Sequence, residues 1–228
     1  MVYVVLYLVG AILVVNGLTM AQVITAFNPV AGQANIGILS LGYSAAGIAD
    51  LNWFIGGLIV IMALIIVTKD LYAGFGDTVS ATVAATCLTF AIAYMTLGAA
   101  LNNMYNPDFI AFAAGAVTGG AAPNPFVGFA AFQPLGWYCL PMSAMLLVLG
   151  LGFFHILGKK LPKVPQFGVL WLLWSITFFL FFYVFGLGNY GAGLSLLIMT
   201  GWWTAAVGVI SCAYPALANF GGGKVGAW

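Results

Sequence analysis

The chain has 228 residues, 64% of them hydrophobic and 4% charged, with five lysines set against four aspartates. An ordinary soluble domain is about one-quarter charged, so a water-facing surface is excluded. Nucleic-acid binding, which needs a basic stripe to neutralise phosphates, goes with it, as does disorder, which needs a polar chain. What remains is a protein whose solvent is lipid, read as one integral membrane domain over residues 1–228.

A helix crosses the hydrocarbon with about 20 apolar residues, and the long apolar runs here lack the in-out alternation of a barrel strand. The expected fold class is therefore all-α, an integral membrane protein of six transmembrane helices. The first runs approximately Val2–Thr25. No lysine precedes its apolar run and no small-residue cleavage site follows, so it reads as a span and not as a secretory leader. Residues 26–50 carry Asn28-Pro29 and several glycines, yet are too apolar for a free linker. The second and third spans are Leu51–Thr68 and Val79–Asn103. Residues 104–134 form a second insertion, punctuated by Pro and Gly and filled with Ala and Phe. Both insertions are expected to fold back at the membrane surface or into the mouth of the protein. Leu135–Leu157, Phe167–Leu187 and Leu194–Phe220 complete the set. Thr86, Thr89, Thr200, Thr204 and Ser211 can bond to their own helix backbones, so they do not disqualify the third and sixth spans.

Lys69 follows the second span, and Lys159, Lys160 and Lys163 follow the fourth. The positive-inside rule predicts these connections to be cytoplasmic and both insertions to be at the outer face. Both chain termini are expected outside, with Lys224 as one dissenting charge.

Much chemistry is missing. No span centre holds a charged side chain, the usual mark of proton relays and coupled ion transport. One histidine, His155, cannot supply a bis-histidine haem site, and no catalytic triad can be assembled. Cys87, Cys139 and Cys212 are dispersed in apolar runs and read as small apolar side chains. Gly186 to Gly191 matches GxGxxG but joins two spans, so it reads as a turn and not as a dinucleotide site. No enzyme activity, cofactor, catalytic residue or metal is expected.

The fifth span is informative. Trp171, Trp174 and Phe178 recur at one-helix-face spacing, with Ser175 and Thr177 nearby. Such a wall suits a flat, neutral, polar solute: ring faces exclude hydrated ions, while indole N–H groups and hydroxyls replace lost water. The same tryptophans also suit interfacial belts and helix packing.

The run from Asn52 to Ile61, NWFIGGLIVI, resembles the N-x-F-[VI]-G-G-L signature of the AmiS/UreI family of urea and short-chain amide channels; it contains Asn52, Phe54, Gly56 and Gly57. In order along the chain, Val9-Gly10 with Asn16-Gly17 resembles the family's first helix, and Ala99 to Asn102 the end of its third. Gly136-Trp137-Tyr138 resembles the start of its fourth, and Val169 to Gly188 its fifth. The resemblance implies six-helix protomers with both termini outside, assembled as homohexamers with a pore in each protomer. It implies pore-lining roles for Trp171, Trp174, Phe178, Thr200 and Tyr94.

The departures are specific. Phe178 stands where the family has a third tryptophan, and Thr200-Gly201 where it has a glutamate-glycine pair. Gly98 falls where a tyrosine partner of Tyr94 is expected. The external histidines of acid-gated members have no counterpart. The expected function is a passive channel in the cell (inner) membrane for a small neutral solute: urea, a short-chain amide or ammonia. The alternative is a structural subunit of a larger membrane complex, docking through the two insertions. Expected partners are the solute, lipid, further copies of the chain and, on the alternative, other membrane subunits, with no nucleic acid.

Overall fold

The computed structural model describes residues 2–21, 45–72, 78–104, 131–158, 165–189 and 194–220. They form six helices: α1 (Val2–Met20), α2 (Ala45–Tyr72), α3 (Thr78–Met104), α4 (Gln133–Phe153), α5 (Pro165–Phe181) and α6 (Leu194–Phe220). A π-helical turn, Phe182–Gly186, prolongs α5. Five of the helices are long and apolar enough to span a membrane, and the apolar stretch of α1, Val4–Met20, is a shorter one. The helices are apolar all round, so large side chains such as Ile61, Leu64, Val148 and Trp202 remain exposed on the outside. The protein is an all-α membrane protein.

Most of the two insertions lies outside the described residues. Their ends do not: α2 begins at Ala45 and a 3₁₀ turn precedes α4, so Asp50 belongs to a helix and not to a surface loop. α4 stops at Phe153, four residues before the expected Leu157. There the chain adopts the left-handed conformation at His155 (φ 63°). The His155 amide donates to the Gly152 carbonyl and the Ile156 amide to that of Leu151, a Schellman closure that satisfies the last carbonyls. The glycine string at the end of α5 is a turn, with Gly188 at φ 68° and the Asn189 side chain donating to the Tyr183 carbonyl.

Three antiparallel pairs build the bundle: α1 with α6, α2 with α3, and α4 with α5. Glycine sets their closeness. A Cβ on Gly17 would run into the Ala205 nitrogen, and one on Gly136 into that of Gly186. These are backbone contacts that no side chain could vacate, the close approach that drives helix association where lipid removes the hydrophobic force. The pairs are then joined by side-chain bonds. Tyr138 on α4 donates to the Thr89 carbonyl on α3 (3.1 Å). Trp203 on α6 donates to the Thr177 hydroxyl on α5 (3.1 Å).

Alternating direction has a topological consequence. The start of α1, the end of α2, the end of α4 and the end of α6 share one end of the bundle. Termini outside and lysine-bearing connections inside therefore exclude one another, and the sequence expectation that combined them is corrected. All five lysines fall in or next to segments that meet this single end, and Lys224 agrees with the other four.

Candidate functional site

Among the described residues, two small cavities lie inside the bundle, one about two helical turns beyond the other along α1 and α3. The first is lined by Val5, Leu6 and Val9 of α1, Val83, Thr86, Cys87 and Phe90 of α3, and Trp171 and Trp174 of α5; it leaves about 20 Å3 to the centre of a water molecule. The second lies toward the opposite end. Asn16, Thr19, Met20, Ile48, Leu97, Leu101, Phe132, Phe181 and Phe185 line it, and it leaves about 10 Å3. Each volume is of the order needed for one water. Seven residues separate Val9 from Asn16 along α1, and seven separate Phe90 from Leu97 along α3, so the two are about 10 Å apart at 1.5 Å per residue.

An aromatic layer fills the interval. The Phe90 ring meets Trp174 edge-on at 4.7 Å and Phe178 edge-on at 5.3 Å. Tyr94 lies tilted beside Phe90 at 6.1 Å, and its hydroxyl reaches across to the Val9 carbonyl at 3.4 Å. All four side chains are buried. Below the layer, Trp171 continues the stack at 4.8 Å from Trp174, flanked edge-on by Phe153 and Phe167. Above it, Phe178, Phe181 and Phe185 form a ladder. The π turn carries Phe185 into the wall of the second cavity beside Phe181.

The expected pore residues Trp171, Trp174, Phe178 and Tyr94 are thus brought together. Phe90 joins them unforeseen by the sequence. The aromatic pair of α3 is Phe90 and Tyr94, one turn earlier than the expected Tyr94 and residue 98. Gly98 instead admits the Trp53 ring and the Ala49 carbonyl in the α2–α3 seam. An i, i+4 aromatic spacing was the available signal.

The polar groups divide differently from the expectation. The Trp174 indole donates to the Ser211 hydroxyl (3.0 Å), which donates in turn to the Val207 carbonyl. Ser175 and Ser143 bond each other's backbone between α4 and α5. Thr177 donates to the Leu173 carbonyl and accepts from Trp203. The Ser143, Ser175, Thr177 and Ser211 hydroxyls are committed to these helix bonds, and their residues line neither cavity. The Trp171 Nε1 and the Thr200 Oγ1, both buried, have no hydrogen-bond partner among the described residues. The Trp171 ring lines the first cavity, whose surface is apolar.

The motif residues also separate. Asn16 and Asn52 form a buried reciprocal amide pair, each donating to the other's oxygen at 2.9 Å. Gly56 admits Met95 of α3, whereas a Cβ on Gly57 would meet nothing within 4 Å. Phe54, Asn102 and Trp137 are exposed on the outside of the protomer. The buried polar side chains are all neutral, and among the described residues no cluster of His, Cys, Asp or Glu could hold a metal.

The described helices form a multi-pass membrane bundle whose buried polar side chains are neutral. The profile of the AmiS/UreI family transporters matches residues 35–223. The chain belongs to the AmiS/UreI family; it is a transporter of the cell membrane and not an enzyme. It is 27% identical over 212 residues to a Mycolicibacterium smegmatis protein provisionally named an amidate substrates transporter, spanning 92% of this chain and 72% of that one. Over 89 residues it is 34% identical to a Rhodococcus erythropolis protein provisionally named the transporter AmiS2, spanning 38% of this chain and 39% of that one. No solved structure matches.

Proposed function

We propose that the protein is a passive channel for small neutral solutes of the amide class, with urea and short-chain amides as its cargo and one pore through each protomer. The carrying observation is the pair of in-line cavities parted by the Phe90, Tyr94, Trp174 and Phe178 layer. A buried path without charge offers a hydrated ion no replacement for its water shell. Stacked ring faces suit a planar amide. The substrate named for the M. smegmatis relative supports the same class.

Proteoliposomes under an acetamide or urea gradient test this by stopped-flow light scattering. Shrinkage-and-recovery rates well above those of empty liposomes are expected. Rates equal to empty liposomes for every small amide would overturn the reading, as would flux that requires a proton gradient. The homohexamer implied by family resemblance belongs to the same proposal, with the exposed apolar faces meeting lipid and neighbouring copies. The mass of the detergent-solubilised particle checks it.

The lysine-bearing end is assigned to the cytoplasm by the positive-inside rule, and the start of α1 and the end of α6 go with it. A fluorescent-protein and phosphatase fusion pair placed after α6 tests the assignment. Fluorescence without phosphatase activity is expected, and the reverse would invert the orientation.

A further inference from the structure

Asn52 Nδ2 donates both to Asn16 Oδ1 and to the Ile48 carbonyl (2.8 Å) one turn back on α2, so both its protons are committed. The carbonyl of Ile48 accepts only from a nitrogen, which fixes which way round the Asn52 amide lies; reciprocity then fixes Asn16. Asn16 Nδ2 uses one proton on Asn52 Oδ1. Its second proton and the second lone pair of its Oδ1 have no partner among the described residues. Asn16 lines the second cavity, whereas Asn52 does not. Thr19, one turn further on, lines the same cavity; its hydroxyl donates to the Val15 carbonyl and keeps its oxygen lone pairs. The rest of that wall is aliphatic or aromatic.

We infer that Asn16 and Thr19 form an amide-docking subsite in the second cavity, with Asn52 as the residue that positions Asn16. The inference rests on the channel reading. A primary carboxamide presents a carbonyl acceptor beside an NH2 donor. Its carbonyl accepts the second Asn16 N–H, and its NH2 donates to Thr19 Oγ1. A carboxylate has no proton for the Thr19 oxygen and carries charge into an apolar wall. A polyol such as glycerol can bond there but does not match both partners in one plane. The cavity at rest has room for about one water, so docking displaces that water and parts the Phe181 and Phe185 rings.

Two near-isosteric variants separate docking from the helix latch. Asn16→Asp, assayed at about pH 3, below the ordinary aspartate pKa of about 3.9, as the neutral acid, keeps a reciprocal acid–amide pair with Asn52 but deletes the proton that faces the cavity. Asn52→Asp keeps the pair and that proton, and loses only the bond to Ile48. The readout is the ratio of acetamide to glycerol permeability in proteoliposomes of the full chain. Losing one neutral hydrogen bond corresponds to about a two- to tenfold change, so the ratio should fall by that factor in Asn16→Asp and stay within about twofold in Asn52→Asp. Equal ratios in wild type and Asn16→Asp would overturn the subsite. An equal fall in both variants would make the pair a latch only, and would overturn it too. Should Asn16→Asp not yield monodisperse protein, Thr19→Val decides: it leaves the amide pair intact, and an unchanged ratio overturns the subsite. A wild-type protein that conducts no amide defeats the channel reading itself, a separate result.

Discussion

Replacing Phe90 by alanine removes the ring that two others meet edge-on. Those contacts, at 4.7 Å and 5.3 Å, are each worth about 0.5–1.5 kcal/mol beyond simple burial. A solute that crosses the layer must displace the Phe90 edge from both, so the layer adds about 1–3 kcal/mol to its barrier, a factor of about 5 to 150 in rate. The factor applies most to solutes that need the ring fully out of the way. In Phe90→Ala, butyramide permeability should therefore rise toward the upper end of that range and acetamide toward the lower end, collapsing size selectivity. The same change leaves a hole in a closely packed interior and should cost about 3–5 kcal/mol of stability, so particle homogeneity is measured alongside. Phe54→Ala, on a side chain 64% exposed, should leave the ratio unchanged. If monodisperse Phe90→Ala protein conducts acetamide and butyramide in the wild-type ratio, the layer is not the selective barrier.

The remaining substitutions probe separate links. Trp171→Phe removes a buried N–H that has no partner among the described residues, so thermal stability should hold or rise while amide flux falls about two- to tenfold; a clear loss of stability would show the N–H to be structural. Trp174→Phe and Ser211→Ala each break one interhelical bond and should each cost about 0.6–1.7 kcal/mol. The double variant should lose less than the sum, and strict additivity in thermal or denaturant unfolding would refute the pairing. Gly17→Ala drives a Cβ into the α6 backbone and should abolish a homogeneous particle, whereas Gly57→Ala meets nothing within the protomer and should behave as wild type on size-exclusion chromatography.

How much of this was legible follows from what each signal measures. Hydropathy located six helices because lipid demands a fixed apolar length, and α6 begins and ends where the sequence put it. Helical spacing found Trp171, Trp174 and Phe178 because one helix carries all three. The i, i+4 spacing of Phe90 and Tyr94 marks an aromatic pair on α3, but not that the pair meets α5, a relation between helices that no local period encodes. The Ser175 and Thr177 hydroxyls misled for the same reason: proximity along α5 says nothing about which face meets α4 or α6. Motif resemblance gathered Asn16, Asn52, Phe54 and Gly57 into one class, yet burial divides them into an internal amide pair and two residues on the outside. The orientation error has another origin. Parity over six crossings is arithmetic, and it needed only the helices to be counted through from the lysines.

Thr200 tests what the missing glutamate means. Thr200 is 1% exposed and its hydroxyl has no partner among the described residues, although Thr204 one turn on bonds to the Thr200 carbonyl in the usual helical way. A buried hydroxyl left unbonded costs about 1–3 kcal/mol, so an unused one is a burden that valine, of nearly the same shape, would relieve. If Thr200 only fills space, Thr200→Val should raise thermal stability and leave flux alone. If it serves the solute or a water that travels with it, Thr200→Val should lower amide flux about two- to tenfold with stability unchanged or higher. The second outcome is expected, because the chain keeps its other buried hydroxyls bonded and spends them on helix contacts. Thr200→Glu provides the sharper contrast. Its carboxylate would enter a bundle whose described buried polar groups are all neutral, with no lysine in the same span to pair with it. Protein that assembles normally and conducts amides unchanged with that charge in place would refute the premise that the path works by being uncharged.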